Sequence, residues 1–226
     1  MRASYVRHRL VDMPPADIAE LLLLTMSGAE ARDTEHLDLL QSMSLALADE
    51  DCGQLRARVA EALRARDQFI LALALCEAPE PEDDPRTSRV PDFGVGRPLA
   101  LGERKSLARR NDPDLIQRVL RDPDPDVIRI LLGNPGVTEP HVVQLCSRRP
   151  VSGLVLREVF RCARWIVRYQ VKLTIMLNPH TPLDICLQLA PMLNRQDLSR
   201  VLQSPDLPAS LREACRRMSE QVKIIH

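Results

Sequence analysis

The sequence predicts an all-α fold, and three observations support this prediction. Aromatic residues make up only 3% of the 226-residue chain while apolar residues make up 45%, so the core must be built largely from aliphatic side chains. Leu and Ala favour helices, whereas strands are enriched in β-branched and aromatic residues. Short apolar segments with helical spacing recur along the chain, and no convincing run of alternating Val, Ile, Thr, Tyr and Phe interrupts them.

The first 77 residues are predicted to form about four helices. Their apolar segments are ADIAELLLLTM, HLDLLQSMSLALA, QLRARVAEALRA and RDQFILALALCEA. Pro15 suits the first turn of the first helix, and Gly28 and Gly53 mark two of the joins. We therefore expect a small helical bundle, or two helical hairpins, over residues 1–77.

Residues 78–104 have a different composition. They are rich in Pro and Gly, begin with an acidic run and contain no periodic apolar stripe, which is typical of a linker or an irregular arm. A structureless segment of about 27 residues would be unusual inside one compact domain, so the sequence predicts a domain boundary here. Val90, Phe93 and Val95 are the apolar residues available to pin this arm to a neighbouring surface.

From residue 105 onward, signals for a helix start recur every 12 to 14 residues. Each is a capping residue, in several cases followed closely by a proline that suits the first helical turn. These residues are Asp112, Asp124, Thr138, Ser152, Thr181, Asn194 and Asp206. The gap from Ser152 to Thr181 is about two steps long, which predicts a further start near residue 166. Helices this short cannot bury an apolar face alone, so residues 105–226 are predicted to stack into an α-solenoid.

Two segments of this region resemble leucine-rich repeat variant units. They are RNDPDLIQRVLRDPDPDVIRILLGNPGVTEPHVVQL and MLNPHTPLDICLQLAPML, and the resemblance lies in their D-P-D-P-x-V and N-P-x-[TV]-[PT] turns. Those bacterial repeats are similar in style to HEAT and armadillo repeats, and the resemblance covers about residues 105–222. It implies a right-handed superhelix of short α and 3₁₀ helices, used for binding and scaffolding more often than for catalysis. One member type has an N-terminal cysteine cluster that holds an iron–sulfur centre; this sequence lacks that cluster, so no cofactor is expected.

Charge is distributed unevenly although the net charge is zero. Residues 1–105 carry 13 cations and 19 anions, whereas residues 106–226 carry 18 and 12. The basic half could bind nucleic acid or a membrane surface, or the two halves could attract each other.

The six cysteines form no CxxC motif and lie in apolar helical patterns, as reduced core cysteines of cytosolic proteins do. With no signal-peptide pattern and no apolar run that could span a bilayer, we expect a cytoplasmic protein.

The segment REVFRCARWIVRYQVK, residues 157–172, contains the candidate binding residues. Its cations follow one another at helical spacings of 4, 3, 4 and 4 residues: Arg157, Arg161, Arg164, Arg168 and Lys172. One continuous helix would place them in a basic stripe opposite the apolar residues, with Trp165 and Tyr169 at its edge. The repeat interval instead predicts a break between Cys162 and Tyr169, although no Gly, Pro, Asn or Asp marks it. In both cases the cations are expected to face away from the apolar residues.

The basic stripe has two interpretations. It is either the solvated face of a core helix, with Arg stems covering apolar surface, or an interaction surface, because Arg and aromatic residues are enriched at interfaces. The leading hypothesis is a non-enzymatic α-solenoid adaptor that binds a protein partner with an acidic surface or segment. The alternatives are a HEAT-like nucleic-acid-binding protein that uses Trp165, Tyr169 and Glu158, and a structural subunit of a larger assembly. The sequence leaves the oligomeric state open.

Motifs for catalysis or metal binding are not evident in the sequence. FGVGRPLALG has neither the glycine spacing nor the Lys-Ser/Thr of a phosphate loop. Asp122, Asp124 and Asp126 alternate as in a calcium loop, but the required Gly and distal Glu do not follow, and helix capping explains these residues better. We therefore expect no catalytic residues, no metal and no cofactor.

Overall fold

The computed structural model describes residues 2–77, 90–94 and 96–224, and these residues form α-helices, 3₁₀ turns and loops without any strand. The predicted all-α fold is confirmed for this part of the chain. The helices are α1 (Arg2–Val11), α2 (Pro15–Glu30), α3 (Thr34–Leu47), α4 (Gly53–Arg64), α5 (Phe69–Ala74), α6 (Leu101–Ala108), α7 (Pro113–Val119), α8 (Pro125–Leu132), α9 (Glu139–Ser147), α10 (Gly153–Arg161), α11 (Ala163–Ile166), α12 (Tyr169–Met176), α13 (Leu183–Leu189), α14 (Arg195–Gln203) and α15 (Ala209–Ile224), with 3₁₀ turns at Glu50–Cys52 and Ala190–Met192.

The chain divides into two compact units. Unit 1 consists of Met1–Ala78 and Pro182–His226, and unit 2 consists of Pro79–Thr181. This grouping differs from the predicted one of 1–77, 78–104 and 105–226, because it places α13–α15 with the N-terminal helices. Within the predicted arm, residues 78–89 and Val95 lie outside the described residues. The end of the arm is helical, since α6 begins at Leu101, and Phe93 is buried while Val90 is exposed.

Unit 1 is held together by apolar contacts among four long helices, α2, α3, α4 and α15, and the shorter α1, α5, α13 and α14. Helix α2 packs on α3 and α4, α5 packs on α4 and α13, and α15 contacts α2, α5, α13 and α14. Fully buried side chains at the centre include Ile18, Met43 and Leu63. The amide of Gln188 on α13 donates a 2.8 Å hydrogen bond to the carbonyl of Ala74 at the end of α5. These contacts explain why the last helices belong to unit 1.

Helix α1 was not predicted from the sequence. It packs on α3, and Arg7 donates a 2.7 Å hydrogen bond to the carboxylate of Asp49. The segment RASYVRHRLV contains few apolar residues; Leu10 is buried, whereas Tyr5 and Val11 are exposed. A helix with so narrow an apolar face has little periodic signal, so the N-terminal region has five helices where about four were expected.

Unit 2 is built from short helices, α6 to α12, of four to nine residues each. Helix α8 contacts α6, α7 and α10, while α9 contacts α10 and α12. Their apolar faces meet in a core whose largest fully buried members include Ile128, Leu131, Leu145, Leu156 and Ile175. Each short helix is thus stabilised by neighbours one to three helices away along the chain.

Four of the predicted capping residues accept the expected hydrogen bonds. The side chains of Asp112, Asp124 and Ser152 accept backbone N–H groups at the starts of α7, α8 and α10, and Asn194 does so at α14. Such side-chain acceptors satisfy donors that the first helical turn leaves unpaired. The spacing of the capping residues therefore located these helix starts correctly.

Thr181 is an exception, and its predicted role as an N-cap is wrong. Helix α13 begins at Leu183, so Pro182 occupies the capping position and makes no side-chain cap. The Thr181 hydroxyl instead donates a 2.7 Å hydrogen bond to the carbonyl of Ile175 in the last turn of α12, and the residue is buried. Thr181 therefore satisfies the end of the preceding helix, a contact that its position before a proline does not reveal.

The asparagines of the N-P turns connect distant parts of unit 2. The Asn134 amide donates to the carbonyls of Ala108 and Arg110 at 2.9 and 2.8 Å, while its oxygen accepts the N–H of Gly136. Asn178 repeats this pattern on Cys146 and Arg148, at 2.7 and 2.9 Å, and accepts the N–H of His180. Both asparagines are buried. The N-P turns have a structural role, because they tie together segments 24 to 32 residues apart.

Candidate protein-binding surface

The segment 157–172 forms parts of three helices rather than one. Helix α10 ends at Arg161, Cys162 is extended with φ −82° and ψ 99°, and α11 spans only Ala163–Ile166. A second extended residue, Arg168, precedes α12. The predicted break between Cys162 and Tyr169 is confirmed, and it consists of two interruptions. Because each interruption reorients the chain, the five cations do not lie along one helical face.

Two of the candidate cations are buried. Arg157 and Lys172 are each only 8% exposed, and Glu158 beside them is 9% exposed. Arg161 is half-buried, with its guanidinium 3.5 Å from the Glu158 carboxylate. All four side chains have polar or electrostatic partners. The expectation that the cations face solvent is therefore wrong for Arg157 and Lys172. Helices stacked in layers are covered on more than one side, which the periodicity of one segment does not show.

Trp165 and Arg164 have structural roles. Trp165 is 4% exposed, and its indole N–H donates a 2.8 Å hydrogen bond to the carbonyl of Leu132 at the end of α8. The Arg164 guanidinium lies 4.4 Å from the centre of the Trp165 ring and donates to the carbonyls of Asn134 and Val137. A cation over an indole ring is stabilising. These two residues therefore join α11 to the turn after α8.

The exposed part of the segment is the short stretch between α11 and α12. Val167 is 50% exposed and Tyr169 is 38% exposed, and Arg168 and Gln170 are also exposed. We call Val167, Arg168, Tyr169 and Gln170 the junction patch. Of the seven predicted site residues, the structure places only Arg164, Arg168 and Tyr169 at the surface. The junction patch combines a cation, an aromatic ring and an aliphatic side chain, the residue types enriched at protein interfaces.

The buried position of Trp165 bears on the nucleic-acid alternative. That hypothesis needs exposed aromatic rings on which bases can stack, and it used Trp165, Tyr169 and the acid Glu158. Only Tyr169 of these three is exposed. The structure therefore does not bring them together as an open site.

The titratable groups of this region show the effects of burial. Burial raises the pKa of the Cys162 thiol and the pKa of the Cys146 thiol, so both favour the neutral form rather than the nucleophilic thiolate. Burial also raises the pKa of Asp122, opposed by hydrogen bonds from the Asp124 N–H and the Arg104 guanidinium.

Within the described part of the chain, no group of three His, Cys, Asp or Glu side chains is placed to hold a metal ion.

The structure also reveals an arginine-lined groove in unit 2 that the sequence analysis missed. Arg118 and Arg121 lie at and just after the end of α7, and Arg148 follows α9. The arm supplies a further wall of the groove, lined by Val90, Pro91, Asp92, Gly96, Arg97 and Pro98. No signal in the sequence links Arg148 to the other two, because about 27 residues separate them and only the packing of the helices brings them together.

Comparison of the chain with protein-family models, curated proteins and solved structures found no match. The resemblance to leucine-rich repeat variant units therefore stays a prediction that rests on the motifs of residues 105–222. No helix in the described ranges is long and apolar enough to cross a membrane.

Proposed function

We propose that this chain is a non-enzymatic adaptor, with a right-handed α-solenoid, that binds a protein partner. The observation that carries this proposal is the junction patch, where Arg168 and Tyr169 are exposed beside Val167. Large apolar and aromatic side chains held at a surface by short helices mark contact sites for other proteins. The cation next to them favours a partner with an acidic surface or segment.

Two features of unit 2 support the solenoid part of the proposal. Helices contact their next-but-one neighbours, as in the series α6, α8 and α10. Six side chains also donate hydrogen bonds to backbone carbonyls 24 to 33 residues away: Asn134, Arg148, Arg149, Arg164, Trp165 and Asn178. We call these the bridging hydrogen bonds. Separations of about this size are expected when two-helix units stack in sequence order.

The proposal is tested by partner capture with a variant of the junction patch. Arg168→Glu combined with Tyr169→Ala reverses the exposed charge and removes the exposed ring, whereas the helices should stay intact because both side chains are at the surface. Arg200→Glu, at another exposed position, provides a charge-matched control. We expect wild type and control to capture the same proteins from the native host, and the junction-patch variant to lose at least one of them.

The captured protein should then be purified and its affinity for each variant measured. Loss of a contact centred on an arginine and a tyrosine should weaken binding by about 2 kcal/mol or more. Identical partners and affinities for all three proteins would contradict the proposal and leave the patch as solvated surface. Capture of nucleic acid that modest salt releases would instead favour the nucleic-acid-binding alternative. Co-purification in a fixed stoichiometric complex, insensitive to the patch, would favour a structural subunit.

A further inference from the structure

We propose that the arginine-lined groove of unit 2 binds an acidic peptide segment through Arg118, Arg121 and Arg148. This inference rests on the proposed adaptor function and names a second contact for an acidic partner. The groove has a volume of about 1190 Å³, larger than the roughly 300–1,000 Å³ of small-molecule pockets. Its size and its open, arginine-lined wall suit an extended chain better than a compact ligand.

The three arginines line the same groove, and at Arg148 the Asp122 carboxylate only partly offsets the charge of Arg121. Among the described residues, no Asp or Glu forms an ion pair with any of them. Burial and the nearby Arg121 lower the pKa of Arg148, as expected when like charges are held together. An anionic group placed between these side chains would relieve that repulsion.

The position of Arg148 is fixed by the backbone around it. Its guanidinium donates to the carbonyls of Leu120 and Arg121 at 2.6 and 3.3 Å. A guanidinium has five N–H donors, so donors remain for a ligand. Arg118 is placed by the arm: one of its nitrogens lies 2.8 Å from where a Cβ on Gly94 would be, and Gly94 has a φ of +76°. Glycine at this position therefore allows both the turn of the arm and the approach of Arg118.

Other charged side chains also line the groove, so that four arginines stand against the two aspartates Asp92 and Asp114. Arg97 forms hydrogen bonds of 2.5 and 3.0 Å with Glu103, and the Arg97 guanidinium lowers the pKa of Glu103 to about 2, so this pair is ionised and neutral overall. The Asp92 carboxylate accepts the N–H of Gly94 at 2.7 Å. Asp114 lies four residues before Arg118, on the same side of α7, and it also lines the groove. Pro91 and Pro98 add apolar surface to the arm wall.

Fluorescence anisotropy with a labelled octaglutamate peptide, at low salt and with the full-length chain, tests this proposal. We expect saturable binding by wild type, and a loss of about tenfold or more in affinity for Arg118→Glu/Arg121→Glu, since each reversal places a carboxylate where the peptide carboxylates bind. The neutral variant Arg118→Gln/Arg121→Gln should fall between the two. Arg195→Glu/Arg200→Glu, two exposed positions on α14, gives the same change in net charge and should bind the peptide within about twofold of wild type.

Several outcomes would overturn the proposal. These are no binding by wild type, equal losses in the groove variant and the α14 control, or unchanged affinity in the Gln variant. Tighter binding of dodecathymidine that depends on the same arginines would assign the groove to nucleic acid instead. The junction-patch variant Arg168→Glu/Tyr169→Ala should bind octaglutamate as wild type does. If only the junction-patch variant loses octaglutamate binding, the groove proposal is wrong and the adaptor proposal stands. If the junction-patch variant still captures every partner while the groove variant loses octaglutamate binding, the adaptor proposal is wrong and the groove proposal stands.

Discussion

Units 1 and 2 are both helical, but different interactions stabilise them. In unit 1, α2, α3, α4 and α15 have 12 to 16 residues and pack through Leu, Ile, Ala and Met side chains. In unit 2 the helices have four to nine residues, and the six bridging hydrogen-bond donors connect them. Every helix end leaves backbone groups without partners, so short helices expose many more of them per residue. Unit 2 satisfies these groups with side chains from distant positions in the chain, of which Asn134, Trp165 and Asn178 are buried.

In the D-P-D-P turn, residues 122–125, a charged side chain rather than an amide satisfies a backbone group near a helix end. The buried Asp122 carboxylate accepts the N–H of Asp124, as Asn134 and Asn178 accept an N–H two residues on. Aspartate cannot donate as asparagine does, and here Arg104 from α6 donates to it at 2.5 Å, with Asp122 fully buried and Arg104 nearly so. A buried ion pair thus occupies the position of a bridging asparagine.

The largest effect is expected when residues 1–77 are deleted. The remaining chain, residues 78–226, lacks α2 and α5, against which α13 and α15 pack in unit 1. We expect hydrogen exchange in this truncated chain to be fast in α13–α15 and slow in α7–α12, because only the latter keep their buried contacts. Residues 90–181 alone should protect α7–α12 equally well. Uniform protection from α7 to α15 would instead support the original prediction that residues 105–226 form one repeat domain.

The next largest effect on stability is expected when the buried carboxylate of Asp122 in unit 2 is removed. Asp122→Ala leaves the Arg104 guanidinium buried without its partner, which should lower the free energy of unfolding by about 3–5 kcal/mol. Asp126→Ala is a matched control from the same turn, because Asp126 pairs with the neighbouring Lys105 at 2.7 Å but is 42% exposed. Its loss should cost about 1 kcal/mol or less. Urea denaturation of the full chain measures the free energy of unfolding of both variants. Equal losses for Asp122→Ala and Asp126→Ala would show that burial does not strengthen the effect of losing the ion pair.

A bridging asparagine should matter more than a capping asparagine. Asn178→Ala leaves the carbonyls of Cys146 and Arg148 without their donor, and we expect a loss of about 2–3 kcal/mol. Asn194→Ala removes only an exposed cap at α14 and should cost about 1 kcal/mol. Asn178→Asp keeps the size and the acceptor for His180 but aims a carboxylate at two carbonyl oxygens, so it should be at least as harmful as Ala. A harmless Asn178→Asp in the same denaturation assay would contradict the bridging role.

The sequence by itself determined the helical class and many of the helix starts. Composition favours helices because Leu and Ala dominate. Capping is a local interaction that a residue such as Asp112, Asp124 or Ser152 makes with the next two or three residues. The same regular spacing predicted the break after Cys162 without any Gly or Pro to mark it. These features depend on neighbours in the chain, so a pattern of a few residues is enough to reveal them.

Tertiary structure alone decided which side chains are buried and which helices belong together. Arg157 and Lys172 have the spacing of a solvated stripe, yet they are buried because stacked helices are covered on several sides. Thr181 bonds to the preceding helix, and α13 packs on α5 more than a hundred residues earlier in the chain. The groove of Arg118, Arg121 and Arg148 exists for the same reason. Contacts between residues far apart in sequence are set by packing, and no local pattern encodes them.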